Sequence, residues 1–164
     1  QLRSELVNEI AQTLAHHDVP AACLEVELTE SALTADGPAV NGLLQALRDM
    51  GVSIAIDDFG VGYSSLTLLR RLPISALKID RSFVSELPAN RQDIAIVEAI
   101  LNMAHCIGLR TVAEGIEPTE QNVTLGVLGC QEGQGYLFCK PRNAEDTTAW
   151  LTATTAPKLA WAPV

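Results

Sequence analysis

The chain has 164 residues, enough for one domain burying roughly 70% of the surface its unfolded form exposes, and its 48% hydrophobic and 19% charged content exclude a disordered chain. Eleven basic against twenty acidic residues leave a net charge of −9, which argues against nucleic acid or an anionic membrane as partner and suits acids gathered around a cation. No apolar run reaches about 18 residues, the N-terminus reads as an amphipathic helix rather than a leader, and Cys23, Cys106, Cys130 and Cys139 lack paired zinc spacing, so the expectation is a cytoplasmic protein with reduced thiols, no signal peptide and no membrane span.

Leu2, Leu6, Val7, Ile10, Ala11 and Leu14 repeat at helical spacing until Asp18 and Pro20, which predicts an opening helix. Leu24 to Thr29 alternates apolar and polar residues and ends at Glu30, a strand leading into a loop with Asp36, Gly37 and Pro38. Val40, Leu43, Leu44 and Leu47 line a second helix face, and Gly51 stands where a left-handed helix stop is wanted. Val52 to Ile56 is a short apolar strand ending in Asp57 and Asp58, followed by a glycine-punctuated loop, Asp58 to Ser65, and a serine-capped helix over Leu66, Leu69 and Leu72 that Pro73 ends. Ala76 to Ile79 is a third strand, and Asn90 caps a helix over Ile94, Val97, Ile100, Leu101 and Ala104 that Gly108 closes. Arg110 to Ala113 is a fourth strand, Thr119 caps a helix over Val123 and Leu128, Gln134 to Phe138 is a fifth strand, and a last helix lies around Thr147 to Leu151.

Strict alternation of short strands with helices implies a parallel α/β sheet, open or closed. Polar residues arrive near the C-terminal end of each strand, which favours a barrel, where active sites gather on that face, over an open sheet with one switch point. The fold expected is a partial (β/α)8 TIM-type barrel of five parallel strands alternating with helices.

Glu27, Glu30, Asp57, Asp58, Glu114 and Glu117 all fall at strand ends, so a shared rim would hold several carboxylates whose repulsion calls for cations, with Mg²⁺ or Mn²⁺ suiting oxygen donors. Two such ions can activate a water and stabilise the leaving oxygen of a phosphodiester. The alternative is that the acids are helix caps and solvated strand ends. Lys78 lies mid-strand in an apolar run, where an ammonium needs carboxylates beside it; it either orients or deprotonates a water among them or forms a structural pair with Asp80 or another rim acid. Gln134-Gly135 brings an amide and a small residue near a ligand, or marks a bulge.

The strings Glu27-Leu28-Thr29-Glu30-Ser31, Asp57-Asp58-Phe59-Gly60, Lys78-Ile79-Asp80-Arg81-Ser82-Phe83-Val84, Ala113-Glu114-Gly115-Ile116-Glu117 and Gln134-Gly135-Tyr136-Leu137-Phe138 together closely resemble the EAL family, in order and in separation, from the first helix to about Pro141. The resemblance implies a modified (β/α)8 barrel that uses two Mg²⁺ or Mn²⁺ ions to hydrolyse cyclic di-GMP to the linear dinucleotide pGpG. It implies Glu27 as a ligand of the first metal, Asp57 as a ligand of both, Asp58 at the second and Glu114 as a further metal-site acid. By the same resemblance Lys78 would position or activate the water, and Lys78 and Glu114 would be the catalytic residues. Glu30 resembles the anchor of the Asp58 to Ser65 loop, which in the family links metal occupancy to dimerisation, and Glu117 and Gln134 resemble rim residues near the substrate.

The family's opening strands, with the Glu-Ala-Leu glutamate, a phosphate-binding arginine and an asparagine of the first metal site, have no counterpart in this sequence. The expectation is therefore a truncated domain over residues 1–152 with a tail over 153–164, an incomplete metal site, weakened cyclic di-GMP binding and impaired hydrolysis; the alternative is a non-catalytic interaction or dimerisation module. A full barrel takes about 250 residues. Five strands would leave two open edges and apolar inner faces to be covered by another copy, another chain or the tail, where Leu159, Trp161 and Pro163 alternate.

Overall fold

The computed structural model describes residues 2–30, 32, 37–62 and 69–153. The expected tail segment around Leu159, Trp161 and Pro163, and the stretch Tyr63 to Leu68 with the proposed serine cap, lie outside the described residues. The described elements are α1 (Leu2–His16), a 3₁₀ turn (Ala21–Cys23), β1 (Glu25–Thr29), α2 (Gly37–Asp49), β2 (Ser53–Phe59), β3 (Ala76–Ile79), α3 (Arg81–Val84), α4 (Arg91–Cys106), β4 (Arg110–Ala113), α5 (Thr119–Val127), β5 (Glu132–Gly133) and α6 (Ala144–Ala153). The strands form one parallel sheet in the order β1-β2-β3-β4-β5, each paired with its successor in the chain. Sequential parallel order with helical connections is how a (β/α)8 barrel grows, and no pairing between β1 and β5 closes the ring among the described residues.

Residue periodicity decides which face is which. Leu28, Ile54, Ile56, Leu77 and Ile79 occupy alternate strand positions and turn toward the helices, where they meet Leu44 and Leu47 of α2 and Val97, Ile100, Leu101 and Ala104 of α4 in one hydrophobic core. Burying each large aliphatic side chain contributes about 1.5–3 kcal/mol. The intervening positions Glu25, Glu27, Asp57, Lys78, Arg110 and Glu114 converge in ion pairs across strands, so the opposite, concave face of the sheet is charged. The inner face expected to be apolar is therefore mixed, since Ala55, Ala76 and Val112 alternate with these charged residues.

Several boundaries follow the sequence. Asn90 caps α4 by accepting hydrogen bonds from the Gln92 and Asp93 N–H groups, and Gly51 takes the left-handed conformation after α2 with φ 92°. Others differ. Pro118, not Thr119, occupies the cap position of α5, and no side chain caps it. Leu69 is helical but Leu72 lies past the helix end. The fifth strand covers Glu132–Gly133 rather than Gln134 to Phe138. The reason lies in the chain packed beside it: Ile116 accepts from Leu137 N–H, its own N–H donates to Gln134 O, and a Cβ on Gly135 would collide with the Ile116 backbone. This close approach turns the chain at Gln134, and Phe138 and Cys139 close the turn onto Gly135 O.

Candidate active site

Strands β1, β2 and β4 deliver acids and β3 delivers Lys78 to one mouth because parallel strands all end there. Lys78, 4% exposed in the middle of β3, is the hub. Its Nζ lies 2.7 Å from Glu27 Oε1, 3.2 Å from Asp57 Oδ1 and 2.7 Å from Glu114 Oε1. Asp80 is not among its partners; that side chain instead accepts from the Ser82 N–H and hydroxyl and caps α3. Burial alone pulls the Lys78 ammonium toward neutrality, but the carboxylates of Glu114, Glu27 and Asp57 beside it outweigh that and push its pKa above the ordinary lysine value. In this arrangement Lys78 is therefore a cation and a donor.

The acids are held unequally. Glu114 follows β4 directly, its N–H bonded to Ile79 O, so the end of β3 fixes its backbone. Burial pushes its carboxyl above the ordinary range, Lys78 pulls it down, and Asp57 pushes it up again. Asp57 and Asp58 lie inside β2, where the pairing to β3 slips between Ile56 and Phe59, and Asp58 takes the left-handed conformation with φ 54°. This bulge lets two consecutive acids both face the mouth, which regular alternation forbids. Desolvation and then the charges of Asp57 and Asp80 push the Asp58 carboxyl up against the pull of Lys78; Asp58 is exposed, so solvent screens these effects and they carry little energy.

One ligand oxygen from each of Asp57, Asp58 and Glu114 falls within 4.8 Å of the others, a cluster sized for a cation. Asp57 Oδ1 is buried with no hydrogen-bond partner among the described residues; its 3.2 Å approach to Lys78 is a charge contact without hydrogen-bond alignment. A buried carboxylate oxygen without an aligned hydrogen bond, beside two further carboxylates, is a donor set that fits a hard divalent cation. Glu27, 43% exposed at its side chain, joins this trio through Lys78.

The loop after β2 is tied down by Glu30, which is buried and accepts from the Gly60 and Gly62 N–H groups at 3.2 and 3.1 Å. Gly60 has the left-handed φ of 103° that favours glycine, and a side chain at either donor would crowd its neighbour. A Cβ on Gly62 would stand 2.7 Å from the Glu30 carboxylate, and one on Gly60 would stand 2.7 Å from the Phe83 ring. Two expected rim residues stay outside the cluster. Glu117 pairs with Arg81 at 2.8 Å, and Gln134, just past β5, is exposed and bonds by its backbone to Ala113 and Ile116. Arg81 was missed by sequence reasoning, although Gly115 (φ 68°), against which the Arg81 stem packs, marks where its neighbour must approach.

A family model of the EAL domain matches residues 1–141. Cyclic di-GMP phosphodiesterase NbdA of Pseudomonas aeruginosa is 47% identical over 139 residues, which is 85% of this chain and 18% of that protein. The structure of the PaMucR phosphodiesterase in complex with cyclic di-GMP superposes with a TM-score of 0.82 at 44% identity, over 87% of this chain and 57% of that one. The manganese and cyclic di-GMP complex of Klebsiella pneumoniae BlrP1 superposes with a TM-score of 0.79 at 31% identity, over 84% and 35%. The chain spans about a fifth of the length of the curated relatives it matches.

Proposed function

The chain belongs to the EAL domain family and is related to cyclic di-GMP phosphodiesterases, and from that premise we propose that its acidic mouth holds Mg²⁺ or Mn²⁺ against a phosphodiester of cyclic di-GMP. The observation that carries this reading is the carboxylate cluster, in which one ligand oxygen each of Asp57, Asp58 and Glu114 falls within 4.8 Å of the others, and in which the buried Asp57 Oδ1 meets only the charge of Lys78 and no aligned hydrogen bond among the described residues. Asp57, Asp58 and Glu114 would hold one cation, and Asp57 with Glu27 a second. Bound divalent ions supply Lewis-acid stabilisation of phosphoryl oxygens and ease ionisation of water. Lys78 orients the attacking water with its ammonium and offsets the acids' mutual repulsion. Glu30 fixes the loop over the site through Gly60 and Gly62, and Glu117 and Gln134 border the substrate.

For the 164-residue chain by itself we propose impaired hydrolysis, because no residue in it matches the family's Glu-Ala-Leu glutamate, phosphate-binding arginine or first-site asparagine. Loss of a single stabilising donor commonly costs 10²–10³ in rate, and groups acting as a unit lose most of it together. Chromatographic assay of cyclic di-GMP with Mn²⁺ is expected to find turnover about a thousandfold or more below a complete domain. Turnover at a complete domain's rate would sink the impairment. We also propose a cytoplasmic setting, which four free cysteines support, and self-association through β1 and β5, the outer strands of the sheet.

A further inference from the structure

The geometry points to Arg110 as a positioning residue for the acidic mouth: it pins β1 to β4 and β5 across the concave face, and so sets the spacing at which Glu27 and Glu114 meet. Its guanidinium donates from Nη2 to Glu25 and from Nη1 to Glu132 at 2.6 Å. β1 and β4 are separated by two strands in the sheet, a distance of about 14 Å were it flat. Contact between their side chains therefore requires curvature, and Arg110 bridges the concave side of it. Glu25 lies two residues before Glu27 on β1, and Arg110 four before Glu114, so both pairs share the concave face. Two links thus cross from β1 to β4, Lys78 above and Arg110 below. The upper link runs through groups assigned to the cation site, whereas the lower one is independent of it. Arginine suits the lower task because its planar fork presents one Nη to each carboxylate in a fixed geometry, whereas a lysine ammonium is a single rotatable point charge.

This inference rests on the proposed reading for what the mouth binds, but not for the strut itself. The test compares the full chain with Arg110→Met, Arg110→Lys and Leu101→Ala, a core variant in α4, by hydrogen exchange resolved over Glu25–Thr29 and by calorimetric titration with Mn²⁺. Arg110→Met is expected to raise exchange across β1 severalfold and to weaken Mn²⁺ binding about tenfold or more, with Arg110→Lys between it and the parent. Leu101→Ala, which loosens the core without cutting the bridge, is expected to leave Mn²⁺ affinity unchanged. Exchange over β1 no faster in Arg110→Met than in Leu101→Ala, or equal Mn²⁺ affinity in Arg110→Met and parent, overturns the inference. A parent chain that binds no Mn²⁺ removes the functional reading instead, and the exchange result then decides the strut alone.

Discussion

Lys78 stands among three carboxylates from three other segments, and its position in the middle of an apolar strand already required such company. Which acids would meet it was less legible, since Asp80, two residues away, was as good a candidate on spacing as Glu27, 51 residues earlier in the chain; the helix-cap role of Asp80 decided the matter. Removing the ammonium leaves the acids uncompensated. Lys78→Met is expected to lose about 3 kcal/mol of stability without divalent ions, read from urea unfolding at neutral pH, and added Mn²⁺ should stabilise this variant more than the parent. Equal stabilisation of both would separate Lys78 from the cation site. Glu114 also sets a pH dependence. Its folded pKa is raised above the ordinary 4.5 by burial first, with Asp57 adding to the rise and Lys78 opposing it, so the folded chain binds this proton more tightly than the unfolded one. The resulting stability is complete below the ordinary value and is lost as pH rises through the raised one. Lys78, raised from 10.5, keeps its own contribution throughout that acidic window and loses it only far above. Glu114→Gln is expected to flatten the fall in urea midpoint as pH rises above the ordinary 4.5, relative to the parent; parallel curves would show that Glu114 does not titrate there.

At the scale of elements, the strands and helices were readable wherever period and punctuation agreed. α4, with its apolar spacing and Asn90 cap, begins one residue after the cap the sequence marks, and Asn90→Ala should cost about 1 kcal/mol in urea unfolding; no measurable loss would mean that the cap is redundant. β5 was not readable, because its end is set by the Ile116 backbone pressed against Gly135, a contact between segments that no local pattern encodes. The bulge in β2 was equally hidden, since a left-handed Asp58 leaves no mark beyond a residue type that tolerates it. The loop after β2 offers a direct test of the Glu30 anchor. Glu30→Gln is expected to speed hydrogen exchange at the Gly60 and Gly62 amides, because charge-assisted bonds of about 1.5–3 kcal/mol weaken, while leaving β3 and α4 protected. Unchanged exchange at both glycines would show that other contacts hold the loop.

Across the whole molecule, the sheet is an arc of five strands whose convex side packs against helices and whose concave side carries two layers of ion pairs. Parallel direction followed from sequence because βα repeats allow little else, and the sequential strand order followed from the barrel that the polar strand ends favoured over an open sheet. The charged character of the concave face was legible only in part: the acids were visible, whereas the Arg110 bridge joins residues 85 apart in the chain and depends on curvature. No helix among the described residues is long and apolar enough to cross a membrane. The account stands on carboxylates from separate strands acting as one cation site. Calorimetric titration of Mn²⁺ into the 164-residue chain and into Asp57→Asn tests this most directly: saturable binding in the parent that weakens at least about tenfold in the variant is expected, whereas no binding in the parent, or equal binding in both, would contradict it.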